Sequence, residues 1–445
     1  MPPIYDVVVV GGGITGAGVA RDCAMRGLST LLLERGAPGM ATTASSTHLI
    51  HGGLRYLLYD RPTTAATCLD SGLILRIAST LLRRLPILWP VYRGQAHGIE
   101  AVETLLEAYD PLSEQKGGKR HLRLDAEQTL RLLPGLSRQG LLGCVSFDEW
   151  WVDPVALVKA NLDSARRHGA EILVGAAVTG MLRGPAGVEG VAAPGFEARA
   201  AVTVNAAGPW IDQVGRLAQA RVPLRLRKGT HLRYEAKLAP FGLLLEAADR
   251  RYVFVIPSPQ GTLVGPTDLP AANPDSAATQ PEEVAYLLRT VRRYFPSFPE
   301  RFDATTVGSR PILSQAGGAA LLSRDFAVFD HQTRDGIGGL VTIGGGKMSD
   351  FRAMAEAATD LVCAKLGRSL PCTTSCETLD GRALERPPEN PRAACREDPS
   401  RRHPRLRQAQ ALGRLAIGFS RHLARRALLG RPTATAEDFR DYYAG

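Results

Sequence analysis

Residues 5–10 form a short β-branched apolar run without polar alternation, the pattern of a strand buried on both faces. It leads directly into Gly11-Gly12-Gly13-Ile14-Thr15-Gly16. A small-residue helix is predicted over 17–26, closed by Gly27, and a second apolar run, 30–33, ends in Glu34. The order is strand, glycine turn, helix, strand, acid. Further on, strand-like runs at 201–205, 252–256, 263–265 and 340–343 alternate with helical patterns at 154–168, 281–294 and 353–366. This predicts an α/β fold with an added sheet. Prolines at Pro371 and through 387–399 place a linker near 370–400. Beyond it, Leu412, Ala416, Phe419, Leu423 and Ala427 follow helical 3-4 spacing while Arg407, Arg414, Arg421 and Arg425 form a basic stripe, so 405–429 should be an amphipathic helix.

A chain of 445 residues, 44% of them hydrophobic, suffices for two or three domains. No apolar run approaches the roughly 18 residues of a membrane-crossing helix, and no charged n-region or cleavage site follows Met1. Seven scattered cysteines fit a reducing compartment better than a disulfide framework, so a cytoplasmic location is expected. The net charge of +10 is localised: residues 381–431 hold 13 arginines against four acids. The main body is nearly neutral, and nucleic acid is not an expected partner. The basic helix could instead pack on the body with a solvated cationic face, or meet the anionic cytoplasmic face of a membrane as a peripheral protein does. Cys372-x-x-x-Cys376 lacks a second pair at ligand spacing, so no metal is expected. No Gly-x-Ser-x-Gly elbow, HExxH or Walker sequence supports a hydrolase or an NTPase.

In Gly11-x-Gly13-x-x-Gly16 the glycines give a tight turn, room for a pyrophosphate beside the backbone, and close helix-to-sheet packing. The pyrophosphate would rest on the helix N-terminus, and Glu34, at the end of the second strand, is placed to accept a ribose hydroxyl. Two later strands also end in small residues, 202–210 and 341–348. An extended FAD touching several strand ends needs such turns, whereas NAD needs one.

With Leu49-Ile50-His51-Gly52-Gly53-Leu54-Arg55-Tyr56-Leu57, Trp151-Val152-Asp153-Pro154, Lys228-Gly229-Thr230-His231, Gly265-Pro266-Thr267-Asp268 and Ser309-Arg310-Pro311, the chain resembles the FAD-dependent glycerol-3-phosphate dehydrogenases of the D-amino-acid-oxidase-like flavoprotein superfamily from about residue 4 to about 372. The resemblance implies a discontinuous Rossmann-like FAD domain with a parallel sheet (1–65, 140–210 and 305–370). It also implies an antiparallel-sheet substrate domain (66–139 and 211–304), followed by a linker and basic helical segment (371–445). The chain departs from the family in carrying His48 where lysine is common, and in having only the short segment 371–445 where a longer helical domain is usual.

The implied activity is oxidation of sn-glycerol 3-phosphate to dihydroxyacetone phosphate, with electrons passed to quinone, oxygen or a partner protein. Another small anion, an amino acid or 2-hydroxy acid, is the alternative substrate, and a non-catalytic flavin-binding module the alternative class. Arg55, Arg310 and Lys347 stand at the family's anion-binding positions, with Arg324 a further candidate; Tyr56 and Thr267 would orient the substrate. An arginine fork can hold two phosphate oxygens and keeps its charge. Either His51 or His231, two of nine histidines, could accept the hydroxyl proton. FAD would be held by Gly11, Gly13, Ile14, Thr15, Gly16, Glu34 and Arg35, by Thr42, Ser45 and Ser46, and by Val178, Ala207, Gly208 and Trp210. Gly345, Gly346, Lys347 and Met348 complete the set. A homodimer is a further open expectation.

Overall fold

The computed structural model describes residues 3–314, 326–385, 387, 404–429 and 433–444. Val7, Val8 and Val9 are wholly buried because the strand Ile4–Val10 lies in the middle of a sheet, parallel to Thr30–Glu34 on one side and to Phe196–Asn205 on the other. Leu340–Gly345 and Glu171–Val174 extend that parallel core, and Phe326–Asp330 closes one edge antiparallel. A hairpin, Gly180–Gly184 with Gly187–Ala193, is attached to Phe196–Asn205 and completes eight strands. The helices Ile14–Met25, Pro154–Arg167 and Phe351–Lys365 cover one face, packing Ala17, Leu157 and Phe351 against Val7 and Val9.

The second sheet has ten strands in the path Leu269–Ala271, Leu224–Tyr234, Gly261–Gly265, Tyr252–Ser258, Gly242–Glu246, Leu82–Tyr92, Leu141–Val152, Leu49–Ile50; Ala304–Leu313 and Arg123–Asp125 pair from the side. Its pairings are antiparallel except between Gly242–Glu246 and Leu82–Tyr92. One face packs on Leu287, Val291 and Tyr294 of the helix Pro281–Tyr294. The other packs on Leu105, Leu106 and Tyr109 of Ile99–Ser113.

Three details differ from the sequence expectations. Leu49–Ile50, Leu141–Val152 and, from residue 305 on, Ala304–Leu313 fall in the stretches expected to form the nucleotide-binding part, yet their hydrogen bonds are with the second sheet. Apolar runs alone do not specify which sheet receives a strand. The expected linker is partly body: Arg21 on the first helix donates to the carbonyls of Thr374 (3.0 Å) and Glu377 (2.8 Å), and Leu379 is buried.

The third difference is the face that the C-terminal helix presents. Pro404–Leu429 is helical, but Leu412 and Leu423, from the expected apolar face, remain 51% and 42% exposed. The helix turns Leu415 and His422 inward instead. His422 Nε2 lies 2.9 Å from Glu100 and 3.4 Å from Glu103, and its Nδ1 lies 3.4 Å from Glu107. Polar anchoring to the acidic helix Ile99–Ser113 thus outweighs burial of two leucines.

The tightest approach in the first sheet is at Gly16, where an added Cβ would lie 1.8 Å from the Gly11 carbonyl oxygen. Gly16→Ala is therefore expected to destabilise the protein by about 3 kcal/mol, the upper range for overpacking, read as a lowered midpoint of urea unfolding.

Candidate active site

The parallel strands end in a cavity of about 450 Å³. Gly13 caps the first helix there in an extended conformation, and a Cβ on it would meet only Thr43 Oγ1, at 3.6 Å. The space above Gly13 is thus left open by the protein. Gly11 has φ 107°, and a Cβ there would press on the Ala206 carbonyl oxygen at 2.8 Å. These two glycines line the cavity with Ile14 and Thr15; Gly16 does not, being taken up by packing. Glu34 also lines it, while Oε2 accepts the Gly12 amide at 2.6 Å and Oε1 the Gly36 amide at 2.8 Å.

At the outer end, the Arg35 guanidinium lies 4.0 Å over the Trp210 ring. Both side chains donate to Asp275 Oδ1, at 3.2 and 2.9 Å. Val178, Ala207 and Gly208 form the wall between. Asp275 comes from a segment far along the chain from Trp210 and had no local motif to reveal it.

A second cavity, of about 370 Å³, adjoins the first: Thr42, Ser46, Gly345, Gly346, Lys347 and Met348 line both. Ser45 lines the second alone. Here the fold gathers His51, Arg55, Tyr56, His231, Arg310 and Lys347 from separate segments of the chain. Thr267 is not among them. Its hydroxyl donates to Glu283 Oε1 at 2.6 Å and accepts the Thr230 amide at 2.9 Å, so it supports the wall instead of facing a substrate. Arg324 lies outside the described residues.

The cations are held in different ways. Arg310 donates to the Thr267 carbonyl at 3.3 Å and to Asp268 Oδ1 at 3.3 Å. Its path requires Gly229, since a Cβ there would lie 2.0 Å from Arg310 NH2. Lys347 Nζ is 2.8 Å from Asp350 and 4.8 Å from the Tyr56 ring centroid. Arg55 is exposed at the mouth, its guanidinium 5.6 Å from the same ring.

The two histidines differ in charge environment. His231 is buried, with Nε2 3.2 Å from Thr47 Oγ1. Burial, then the positive charges of Arg310 and His48, hold its imidazole well below the ordinary value. His51 is half-buried, on a turn whose backbone is tied at each step. His48 lines neither cavity; it has φ 58°, and its ring Nε2 is 3.1 Å from the Ala44 carbonyl.

Sequence reasoning also missed Arg251, Tyr286, Asp268 and Glu149. Arg251 donates to the Asp268 carbonyl at 2.8 Å and stacks 5.1 Å over Tyr286. Its only signal was a basic pair before a strand. Cys372 Sγ is 3.1 Å from Thr374 Oγ1, and Cys395 is outside the described residues.

Residues 6–360 match the family model of FAD dependent oxidoreductases. The chain belongs to that family. It is 32% identical over 387 residues to a chain of the anaerobic glycerol-3-phosphate dehydrogenase of Escherichia coli, covering 84% of this protein and 70% of the relative. It is 30% identical over 400 residues to an aerobic glycerol-3-phosphate dehydrogenase of Staphylococcus aureus, covering 85% and 71%. Among solved structures, the glycerol-3-phosphate dehydrogenase from Bacillus halodurans complexed with FAD superposes with a TM-score of 0.67 at 26% identity, over 84% of this chain and 67% of that one. As an FAD-dependent oxidoreductase, the protein has a trough that suits its cofactor: an open step above Gly13 at a helix N-terminus, and small-residue walls leading to the second cavity.

Gly13→Val should fill that step and give colourless protein with normal folding of the remainder, measured as FAD absorbance per chain beside the circular dichroism melt. His231 generates a second prediction. The unfolded chain takes up a proton near pH 6.5 whereas the folded state resists it, so stability should fall as pH drops below about 6.5. His231→Gln should flatten that part of the melting-temperature curve.

Proposed function

We propose that the protein oxidises sn-glycerol 3-phosphate to dihydroxyacetone phosphate and delivers the two electrons to quinone or another acceptor. The observation that carries this reading is the convergence of Arg55, Arg310 and Lys347 on the cavity that adjoins the FAD trough. A carboxylate needs one such cation; a phosphate dianion is better matched by several. The relatives named for glycerol-3-phosphate support the same substrate.

Bound FAD supplies the acceptor for the hydride that leaves the substrate's C2. The protein's part is binding and proton transfer. Arg310, with Arg55 and Lys347, orients the phosphate so that C2 is presented to the trough. His51 accepts the C2 hydroxyl proton, because an imidazolium at His231 would be disfavoured by burial and by Arg310. His231 instead helps to shape the wall as a neutral ring. Tyr56, buried between the two cations, keeps water from the phosphate side.

No helix among the described residues is long and apolar enough to cross a membrane. Exposed Arg414, Arg421 and Arg425, beside exposed Leu412, Ile417 and Leu423, support contact between the C-terminal helix and an anionic membrane surface. Quinone would be reached there.

Arg310→Ala should lower kcat/KM for sn-glycerol 3-phosphate by roughly ten- to a hundredfold, the loss of one charge-assisted bond, at unchanged FAD content. Equal turnover of glycerol and glycerol 3-phosphate by the wild type would exclude the phosphate assignment. His51→Ala should slow anaerobic flavin reduction by roughly a hundredfold and remove the acidic limb of the kcat/KM profile. For the helix, sedimentation with anionic vesicles should fall steeply between low and high salt; indifference to lipid charge would exclude this docking.

A further inference from the structure

Behind the wall that carries His51 lies a buried ion pair that the proton transfer described above does not use. Lys116 Nζ is 2.9 Å from Glu149 Oε2, and both side chains are sealed from solvent. Glu149 stands on the strand Leu141–Val152, and Lys116 follows the helix Ile99–Ser113. Removing two charges from water is costly, and such a pair is seldom a net source of stability. Its position suggests another use, because Glu149 also borders the substrate cavity.

Both carboxylate oxygens are engaged. Oε2 accepts the Gly52 amide at 3.1 Å together with Lys116, and Oε1 accepts the Tyr109 hydroxyl at 2.9 Å. Burial pushes the Glu149 carboxyl up from its ordinary value, while Lys116, Tyr109 and the Gly52 amide pull it down. The adjoining backbone groups are tied as well. The His51 amide donates to Ser349 Oγ at 2.8 Å, the His51 carbonyl accepts from Ser71 at 3.1 Å, and the Gly52 carbonyl faces Cys68 Sγ at 3.6 Å. A Cβ on Gly52 would lie 2.1 Å from Tyr109 Oη and 2.4 Å from Cys68 Sγ. The turn is therefore pressed against this cluster. Of these ties, Glu149 is the charged one, and it grips the amide between His51 and the segment leading to Arg55.

We propose that Glu149 is a positioning residue: by holding the Gly52 amide, and being held in turn by Lys116 and Tyr109, it fixes the turn that aims His51 and Arg55 into the cavity. The inference rests on His51 and Arg55 acting on the substrate as proposed above. Both of its carboxylate oxygens are already taken up by Gly52, Lys116 and Tyr109, which suits a positioning role more than that of a second base.

Removing Glu149 alone would strand a buried ammonium, so the test uses double variants. Glu149→Leu with Lys116→Met removes the acceptor and both charges; Glu149→Gln with Lys116→Met removes the charges and keeps an amide oxygen for Gly52. Each holoenzyme is examined for FAD content, for hydrogen exchange of the peptide 49–57, and for the limiting rate of anaerobic flavin reduction by sn-glycerol 3-phosphate. The leucine variant should exchange at least tenfold faster in that peptide and be reduced ten- to a hundredfold more slowly at full FAD content. The glutamine variant should stay within about threefold of wild type in both. Unchanged exchange in the leucine variant, faster exchange with an unchanged reduction rate, or a glutamine variant as impaired as the leucine one would each overturn the proposal. A wild type that sn-glycerol 3-phosphate does not reduce would refute the substrate reading, and the exchange comparison would still decide whether Glu149 holds the turn.

Discussion

Strand and loop can approach this closely only where a side chain is missing, and one such contact joins the second sheet to the loop between Glu34 and Leu49. Gly308, in the strand Ala304–Leu313, lies against that loop; a Cβ there would come within 2.6 Å of Ser45 Cβ. Beside it, Thr42 Oγ1 donates to the Ser309 carbonyl at 2.6 Å. This contact brings a strand of the antiparallel sheet to the edge of the parallel one. Arg310, just after Gly308, is carried with it toward the cavity that adjoins the trough. A larger residue at 308 would push this strand and the loop carrying Ser45 apart.

Of Arg55, Arg310 and Lys347, two already have an acidic neighbour, although Arg310 shares Asp268 with Arg227. Arg310 has Asp268, Lys347 has Asp350, and Lys116 behind the wall has Glu149. For the buried Lys347 and Lys116 an unpaired charge would be costly and would seek other conformations to reach water. The carboxylates hold them in place at the expense of some affinity for an entering anion. The gain is orientation: the donors are already aimed, so less ordering is left to binding. The contacts of Arg310 at 3.3 to 3.4 Å are long.

The first strand and its glycine turn were legible in the sequence because each physical demand there is local. A strand buried on both faces must read as a continuous apolar run, and a helix start that packs this closely on its turn must be glycine. The second sheet was harder. Leu82–Tyr92 carries Pro86 and Pro90, which argue against a strand, and Leu141–Val152 contains Asp148 and Glu149, whose neutralising partners Arg84 and Lys116 come from elsewhere in the chain. The helix Pro404–Leu429 was legible as a helix but not in its orientation, because His422 is drawn to Glu100, Glu103 and Glu107, which lie far upstream in the sequence. Thr267 stood in a telling motif, yet Glu283 takes its hydroxyl. Composition and spacing report what a segment can do alone, and these features depend on what it meets.

The trough is assembled from chain segments far apart in the order of synthesis. Its glycine turn follows the strand Ile4–Val10, its wall follows Phe196–Asn205, and the rim shared with the substrate cavity ends the strand Leu340–Gly345. A ribosome making this protein therefore releases the glycine turn that lines the trough early, and the residues of its rim only after Met348 has followed. Through most of translation the nascent chain has a cradle with no opposite wall. The trough is thus complete only at a late stage of synthesis, and a message truncated before that point would yield a polypeptide that lacks one of its walls.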